Sequence, residues 1–196
     1  MQMLLRFREF MEQVQRRLAI FDFDDTLVMT PHEDIGKERY QQATGQAWPH
    51  KGWWGRKETL RAPIFNAEPH EVHEKVVAEF RKAKADPNTF VVMMTGRHSG
   101  IKKEVQAILA KYGLDPDEQY YKGDHNFPQA KDTWDYKNHI TSNVLVPRGF
   151  EIVEIWDDRV DHVPLWLQTC QQIKAQYPQI QKVIFHDSGT GEDHEF

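Results

Sequence analysis

The chain has 196 residues, a length that suits one globular domain, or one domain with a modest insertion. Hydrophobic residues make up 39% of it and charged residues 28%, which is the balance of an ordinary water-soluble domain. The formal net charge of -5 excludes a general electrostatic attraction to nucleic acid or to an anionic membrane, so any such binding would need a local basic surface.

Cysteine content and hydropathy limit the protein further. The single cysteine, Cys170, excludes an intramolecular disulfide and a metal site built from several cysteines. No run of about 18 apolar residues occurs, so no membrane-spanning segment is predicted. These features favour a location in the reducing cytoplasm.

Residues 1–17 predict a short amphipathic helix, because apolar residues recur there at helical spacing. Charged side chains such as Arg6, Arg8 and Glu9 interrupt the apolar stretch that a signal peptide would need. We expect the helix to dock against its own domain, and the alternative is a helix that binds a partner protein.

Apolar runs of strand type alternate with helix-type patterns along the rest of the chain. Five such runs are predicted strands: residues 18–23, 90–94, 119–121, 151–156 and 182–185. Helix patterns lie between them: residues 71–84, 101–112 and 163–177. The alternation predicts an α/β domain over residues 18–186, with βαβ units and a mostly parallel five-stranded sheet.

Three segments break this alternation. Residues 30–68 contain several glycines and prolines and three tryptophans, and they predict an irregular insertion or small cap after the first strand. Residues 122–134 are polar and predict a loop. Residues 187–196 are acidic and contain two glycines, so we expect a flexible tail.

Three acidic residues, Asp22, Asp24 and Asp25, follow the first predicted strand within four positions. Carboxylates packed this closely repel one another and raise one another's pKa values, and a divalent cation relieves that cost. Oxygen ligands of this kind suit Mg²⁺, which otherwise keeps waters and substrate phosphate oxygens as ligands. The alternative is that the acids only cap the next helix.

Polar residues also follow two other predicted strands. Thr95, Gly96 and Arg97 come after the second strand, where a hydroxyl and free main-chain N–H groups can hold a phosphate oxygen. Asp157 and Asp158 follow the fourth strand and supply a further metal carboxylate. Because functional residues gather at the carboxyl ends of strands in parallel sheets, we expect these groups to lie together.

The segments DFDDTL, VVMMTGR, a single lysine and EIWDDR occur in an order that resembles the four motifs of the haloacid dehalogenase (HAD) superfamily of phosphatases. The resemblance spans residues 18–162. It implies a Rossmann-like three-layer sandwich with the first strand central. It also implies a magnesium-dependent phosphomonoester hydrolase that forms an aspartyl-phosphate.

The same resemblance implies a role for each residue that matches a motif. Asp22 is the nucleophile, and Asp24 protonates the leaving oxygen and then activates water. Thr95 binds the transferring phosphoryl group, with Gly96 and Arg97 beside it as substrate-binding residues.

The metal ligands follow from the first and fourth motifs. The resemblance implies that Mg²⁺ is bound by Asp22, by the main-chain carbonyl of Asp24 and by Asp158. Asp157 either shares that role or lies behind the ligands. In one departure from the family, Asp25 stands where a glycine is usual, and it adds negative charge near the site.

Two lysines are candidates for the third motif, Lys137 and Lys122. A lysine here would offset the negative charge of carboxylate and phosphate together. We expect Lys137 to have this role, because DTWDYK followed by Ile140 resembles the lysine-bearing helix of the family.

The tryptophans of residues 30–68 lie among basic residues, a combination that stacks bases and contacts phosphates. From it we expect Trp53 and Arg56 to bind substrate, although such tryptophans can instead pack an insertion onto its domain. The segments GWWG, TGR, DTWDYK and WDDRVDHV are similar to a HAD subgroup related to RNA-repair, Swiss-army-knife-like proteins. That similarity implies a nucleotide or nucleic-acid end as the phosphorylated substrate.

Three functions therefore stay open. The first is a nucleotide or polynucleotide phosphatase, and the second is a small-metabolite phosphatase of the sugar type. The third is a nucleic-acid-binding module without turnover, and the presence of every expected catalytic residue type argues against it.

Overall fold

The computed structural model of the protein describes residues 16–125 and 127–196. The helix expected over residues 1–17 lies outside the described residues for residues 1–15, and Arg17 is the first residue of a strand.

One sheet of six strands forms the centre of the described part. In chain order the strands are β1 (Arg17–Phe21), β2 (Thr89–His98), β3 (Glu118–Lys122), β4 (Ile152–Asp157), β5 (Lys182–Asp187) and β6 (Glu192–Glu195). Their order across the sheet is β3-β2-β1-β4-β5-β6. The first five strands are parallel and β6 pairs antiparallel with β5, so the predicted α/β fold with a mostly parallel sheet and a central first strand is confirmed.

Helices flank this sheet. They are α1 (Glu33–Thr44), α2 (Glu74–Ala85), α3 (Lys102–Lys111), α4 (Thr133–His139) and α5 (Val163–Gln176). Shorter helical segments are the 3₁₀ turns Lys57–Leu60, Ser99–Ile101 and Val146–Arg148 and the π-helical turn Ile140–Leu145. The helices predicted at residues 71–84, 101–112 and 163–177 correspond to α2, α3 and α5. No helix in the described ranges is long and apolar enough to cross a membrane.

β1 is buried on both faces because it has apolar residues at every position after Arg17. Ala19 and Phe21 point into a core that includes residues of α2 and α3, whereas Leu18 and Ile20 point into a core that includes residues of α4 and α5. A central parallel strand needs apolar side chains on both faces, which explains the continuous run in the sequence.

The sheet has one strand more than predicted, and the tail expected to be flexible forms part of it. Residues Glu192–Glu195 are β6, and beyond β6 Phe196 exchanges main-chain hydrogen bonds with Val183 of β5, at 2.9 and 3.2 Å. This acidic segment has no apolar alternation. It is an edge strand that is held by main-chain hydrogen bonds, so hydropathy does not reveal it.

The insertion after β1 is more regular than predicted, since it contains α1 and a 3₁₀ turn. Trp53 is only 2% exposed, and its indole N–H donates to the Pro31 carbonyl at 3.0 Å. The indole lies directly against Gly36 of α1, where a Cβ atom would approach it to 2.0 Å. Trp53 therefore packs within the insertion.

A network of charged side chains around the buried Glu154 crosses β1, β4 and β5 on one face of the sheet. Glu154 is buried and accepts a hydrogen bond from Arg17, and its second oxygen lies 3.8 Å from His186 Nε2. His186 Nδ1 lies 2.6 Å from Asp193 of β6, and its ring stacks on Trp156 at 4.1 Å. Burial alone would lower the pKa of His186, but attraction to Glu154 and Asp193 outweighs burial and raises it.

We expect His186→Gln to weaken the pH dependence of stability on the alkaline side of pH 6. Because the pKa of His186 is higher in the folded chain than the unfolded value of about 6.5, its protonation stabilises the fold. This contribution is complete below the unfolded pKa and is lost as pH rises through the folded pKa. Urea unfolding of wild type and variant between pH 6 and 8 measures the difference.

Asp193→Asn is the matched control, since it removes one attracting carboxylate and keeps the ring and its stacking contact. It should reduce the pH dependence by an intermediate amount. If the stability of wild type and of His186→Gln changed equally with pH, protonation of His186 would not stabilise the fold.

Candidate active site

Strand register brings the carboxyl ends of β1 and β4 together. Phe21, the last residue of β1, is level with Met93 on β2 and with Trp156 on β4. The following residue, Asp22, therefore lies beside the end of β4, and its N–H donates to the Trp156 carbonyl at 3.0 Å. The chain continues from β1 to β2 on one side and reaches β4 on the other, which is the arrangement that opens a crevice at strand ends.

Asp22 lies at the bottom of this crevice and is only 8% exposed. Its Oδ2 is 3.0 Å from Lys137 Nζ, whereas its Oδ1 is buried without a hydrogen-bond partner among the described residues. Burial raises the pKa of Asp22 well above its usual range, Lys137 opposes the rise, and neighbouring carboxylates add to it. A buried, unpaired carboxylate oxygen is costly unless a ligand or cation completes it.

Lys137 on α4 is buried between two carboxylates. Its ammonium donates to Asp157 Oδ2 at 2.6 Å and contacts Asp22 at 3.0 Å. Burial alone would lower the pKa of Lys137, but attraction to Asp157 and Asp22 outweighs it and raises the pKa. The lysine is therefore a fixed positive charge beside Asp22. Lys122, the other candidate, lies at the end of β3 and is not part of the cavity lining.

Asp157 is held by donors from the protein on both oxygens. Oδ2 accepts from Lys137 and, at 3.0 Å, from the Trp166 indole N–H, and Oδ1 accepts from the Arg159 N–H at 3.1 Å. Burial alone would raise its pKa, but the charge of Lys137 and the hydrogen bonds from Lys137 and Trp166 hold the pKa of Asp157 below the usual value. His162 is buried, and its Nδ1 lies 4.0 Å from this carboxylate.

Asp158 faces the cavity and is less constrained than Asp157. Its Oδ1 accepts from the Thr26 hydroxyl at 2.9 Å. Burial, followed by the charge of Asp157, raises the pKa of Asp158.

Asp24 is clamped by the buried guanidinium of Arg97. Arg97 Nε is 2.9 Å from both carboxylate oxygens, and Nη2 is 2.7 Å from Oδ1. Thr30 donates to the same Oδ1 at 2.6 Å. The remaining Arg97 nitrogen, Nη1, donates to the Thr59 hydroxyl and to the Trp54 carbonyl, so the insertion holds the arginine in place. Arg97, which the resemblance implies as a substrate-binding residue, forms a salt bridge with Asp24 in the structure.

The Thr-Gly-Arg segment lies within β2, which continues to His98 instead of ending before Thr95. Thr95 is fully buried, and its hydroxyl accepts from the Arg97 N–H at 3.1 Å. Gly96 lines the cavity and lies against Thr133 of α4. The role of Thr95 as a phosphoryl ligand stays a prediction.

A cavity of about 390 Å³ lies among these groups, although the buried Thr95 and Asp157 do not line it. The lining residues are Asp22, Asp24, Asp25, His32, Trp54, Gly96, Arg97, Thr133, Lys137, Asp158 and Arg159. Of the predicted substrate residues outside the motifs, Trp53 is buried in the insertion, and Arg56 is exposed with its guanidinium on the Lys51 carbonyl. Neither lines the cavity, so the structure does not bring these two residues to the site.

Sequence reasoning did not single out four of the lining residues: His32, Trp54, Thr133 and Arg159. Only Trp54 had a signal that could have identified it, as one of the aromatics among basic residues.

Asp25 has a positive φ of 52°, the conformation that glycine adopts most readily. Aspartate is among the few other residues that tolerate it. The positive φ therefore makes this a position that favours glycine and that aspartate can occupy. Its carboxylate lies 2.9 Å from His32 Nε2, and burial is the main cause that raises its pKa to about 6.

The acids of the site fit a hard divalent cation. Among the residues that the structure describes, Asp22, Asp157 and Asp158 can each offer a carboxylate oxygen, and these oxygens lie within 4.8 Å of one another. Because both oxygens of Asp157 already have protein donors, Asp22 and Asp158 are the better ligands. The unpartnered Oδ1 of Asp22 is the atom that a cation would complete.

The fold and the order of its motifs are those of a HAD-like domain. The family model for HAD domain family 1 in Swiss Army Knife RNA repair proteins matches residues 36–190, and the chain belongs to this family. The matched range begins within α1, so Asp22 and Asp24 lie before it, and their assignment rests on the motif and on the geometry described above.

Two solved structures are similar to this chain. A chain in "Structure of Pnkp1/Rnl/Hen1 complex" has a TM-score of 0.50 and 18% identity, covering 77% of this chain and 42% of that one. A chain in "Structure of the Pnkp1/Rnl/Hen1 RNA repair complex" has a TM-score of 0.48 and 19% identity, covering 78% and 39%. The first shows a shared fold, and this chain spans less than half the length of either.

We expect Gly96→Ala to destabilise the protein by about 1–3 kcal/mol. The new Cβ atom would lie 2.5 Å from Thr133 Cγ2, so α4, which carries Lys137, has to move. Thr133→Ala in the same chain should restore part of the loss. Chemical denaturation of the two single variants and the double variant measures the coupling.

Gly55→Ala is the control, because a Cβ atom there meets nothing within 4 Å. A Gly96→Ala protein as stable as the Gly55→Ala protein would show that Gly96 and Thr133 are not in the described contact.

Proposed function

We propose that the protein is a magnesium-dependent phosphomonoester hydrolase that acts on a nucleotide or a polynucleotide end, with an aspartyl-phosphate on Asp22. The observation that carries the proposal is the buried Oδ1 of Asp22, which has no partner among the described residues, in a residue that lines a cavity with Lys137, Asp24 and Asp158. A buried carboxylate oxygen without a partner is costly unless a cation or a substrate completes it.

In the first step, a carboxylate oxygen of Asp22 forms a bond to phosphorus while the ester P–O bond breaks. The leaving oxygen takes a proton from Asp24, and the product alcohol departs. Asp24 Oδ1 has contacts from Arg97 and Thr30, whereas Oδ2 has one contact, from Arg97 Nε, so Oδ2 is the oxygen that carries the proton.

In the second step, water attacks phosphorus and gives its proton to Asp24. The bond between phosphorus and Asp22 breaks, which returns the Asp22 carboxylate and releases inorganic phosphate. Arg97 keeps Asp24 in one orientation for both steps, because three of its contacts with the carboxylate are 2.9 Å or shorter. The Thr95 hydroxyl and the main chain at Gly96 bind the phosphoryl oxygens.

Asp22 and Asp158 would hold Mg²⁺, which supplies positive charge to both the carboxylate and the phosphate when it is bound. Lys137 adds a second positive charge beside Asp22, 3.0 Å from its Oδ2. Asp157 positions Lys137 through its 2.6 Å hydrogen bond and does not contact substrate.

Family membership supports a nucleic-acid substrate, because the matching family is described from RNA repair proteins. A small-metabolite phosphatase and a binding module without turnover remain as outcomes of the experiments. A phosphorylated oligonucleotide, a nucleoside monophosphate and a sugar phosphate separate these functions when they are compared at equal concentration.

We expect phosphate release from a generic aryl phosphate in the presence of Mg²⁺, and its loss on chelation. Asp22→Asn should reduce the rate by on the order of a thousandfold or more, since it removes the nucleophile. The variant keeps the size of the side chain, and thermal unfolding checks that it folds. Acid quench of wild type with labelled substrate should trap phosphate on the protein, and the Asp22→Asn protein should carry none.

Two results would contradict the proposal. Phosphate release that does not need Mg²⁺, or turnover by the Asp22→Asn protein equal to that of wild type, would contradict the proposed mechanism. If wild type releases nothing from any of these substrates but binds the oligonucleotide in a salt-sensitive way, the protein is a binding module.

We expect Lys137→Met to abolish turnover and Lys122→Met to leave it within roughly twofold of wild type, as surface substitutions do. Removal of Lys137 leaves two buried acids without their cation, which we expect to cost about 3–5 kcal/mol of stability. Asp157→Asn is the milder variant, because it keeps the shape and loosens the lysine. Steady-state rates and unfolding curves are measured for all three variants. A folded Lys122→Met protein without activity would make Lys122 the catalytic lysine in place of Lys137.

A further inference from the structure

Trp54 is an exposed aromatic residue at the mouth of the cavity. It is 40% exposed and lines the cavity, whereas its neighbour Trp53 is buried. A large apolar ring in water has an energetic cost, and exposed aromatic surface at the mouth of a pocket is typical of a binding surface.

The Trp54 ring is held in place by its surroundings. The Arg97 guanidinium lies 5.3 Å from the ring centroid, and the His32 ring lies 5.8 Å away at an angle of 85°. The Trp54 carbonyl accepts a hydrogen bond from the same arginine at 3.2 Å. A ring fixed at both its main chain and its side chain loses little entropy when a ligand stacks on it.

The position of the ring relative to Asp24 identifies what it would contact. Arg97 binds Asp24 with Nε and Nη2 and lies against Trp54, so the ring is on the same side of the cavity as Asp24. Asp24 is the group that protonates the leaving oxygen in the proposed mechanism. In the proposed mechanism, Trp54 therefore lies on the side of the leaving alcohol.

We propose that Trp54 is the specificity-determining residue on which the nucleobase of the terminal nucleotide stacks, an inference that rests on the proposed function. Stacking on an indole accepts every base, because each base has a π face. The site therefore selects phosphomonoesters whose leaving group carries a base, with little preference among bases. Exposed cations next to Trp54 in sequence, Lys51, Arg56 and Lys57, suit the phosphodiester backbone of a longer strand.

The test compares two oligonucleotides with the same terminal phosphate, one with a base on the terminal nucleotide and one that is abasic there. Trp54→Ala should lower kcat/KM for the base-containing substrate by roughly 5- to 150-fold through KM, and should leave the abasic substrate unchanged. Trp54→Phe should retain most of the preference. Trp48→Phe is the control, a half-buried tryptophan of the same insertion that does not line the cavity.

Equal losses on both substrates through kcat would overturn the inference, because the ring would then only support the contact between Arg97 and Asp24. No preference of wild type for the base-containing substrate would overturn it as well. If wild type turns over no phosphomonoester, the proposed function fails, and the stacking inference is then tested by oligonucleotide affinity. The Asp22→Asn protein should bind the base-containing oligonucleotide more tightly than the abasic one, and Trp54→Ala should remove that difference; equal affinities overturn the inference.

Discussion

The ammonium of Lys137, buried between Asp22 and Asp157, is the interaction on which the site depends. It joins α4 to the ends of β1 and β4, and without it two carboxylates would be buried with no cation. Lys137 occupies one oxygen of Asp22, and Trp166 with the main chain completes Asp157, so Asp22 Oδ1 is left without a partner among the described residues.

A second and separate ion pair, Arg97 with Asp24, divides the acids of the site between two cations. Asp22 and Asp24 are only two residues apart, yet each has its own positive partner. Because Thr59 and the Trp54 carbonyl hold Arg97, the insertion stabilises the acid that handles the proton in the proposed mechanism. A change in the insertion can therefore alter turnover as well as substrate binding.

The sequence predicted the sheet and most of the residues that line the cavity, because buried strands leave an apolar pattern in the sequence. Apolar runs followed by acids mark strands whose ends meet, and that pattern located Asp22, Asp24 and Asp158 in one cavity. β6 was not predicted because main-chain hydrogen bonds hold this strand and its sequence has no apolar pattern. Trp53 and Trp54 could not be told apart, since adjacent identical residues in an aperiodic segment carry no signal of which ring is buried.

The loop after β1 connects these parts, because successive residues in it bind different elements. Asp24 binds β2 through Arg97, and Thr26 binds both Asp158 and Ser188 at the ends of β4 and β5. Asp25, in its left-handed conformation, turns towards His32, whose ring contacts Trp54. A glycine at this position would keep the turn but lose the contact. The aspartate therefore links the proposed chemistry at the bottom of the cavity to the proposed stacking surface at its mouth.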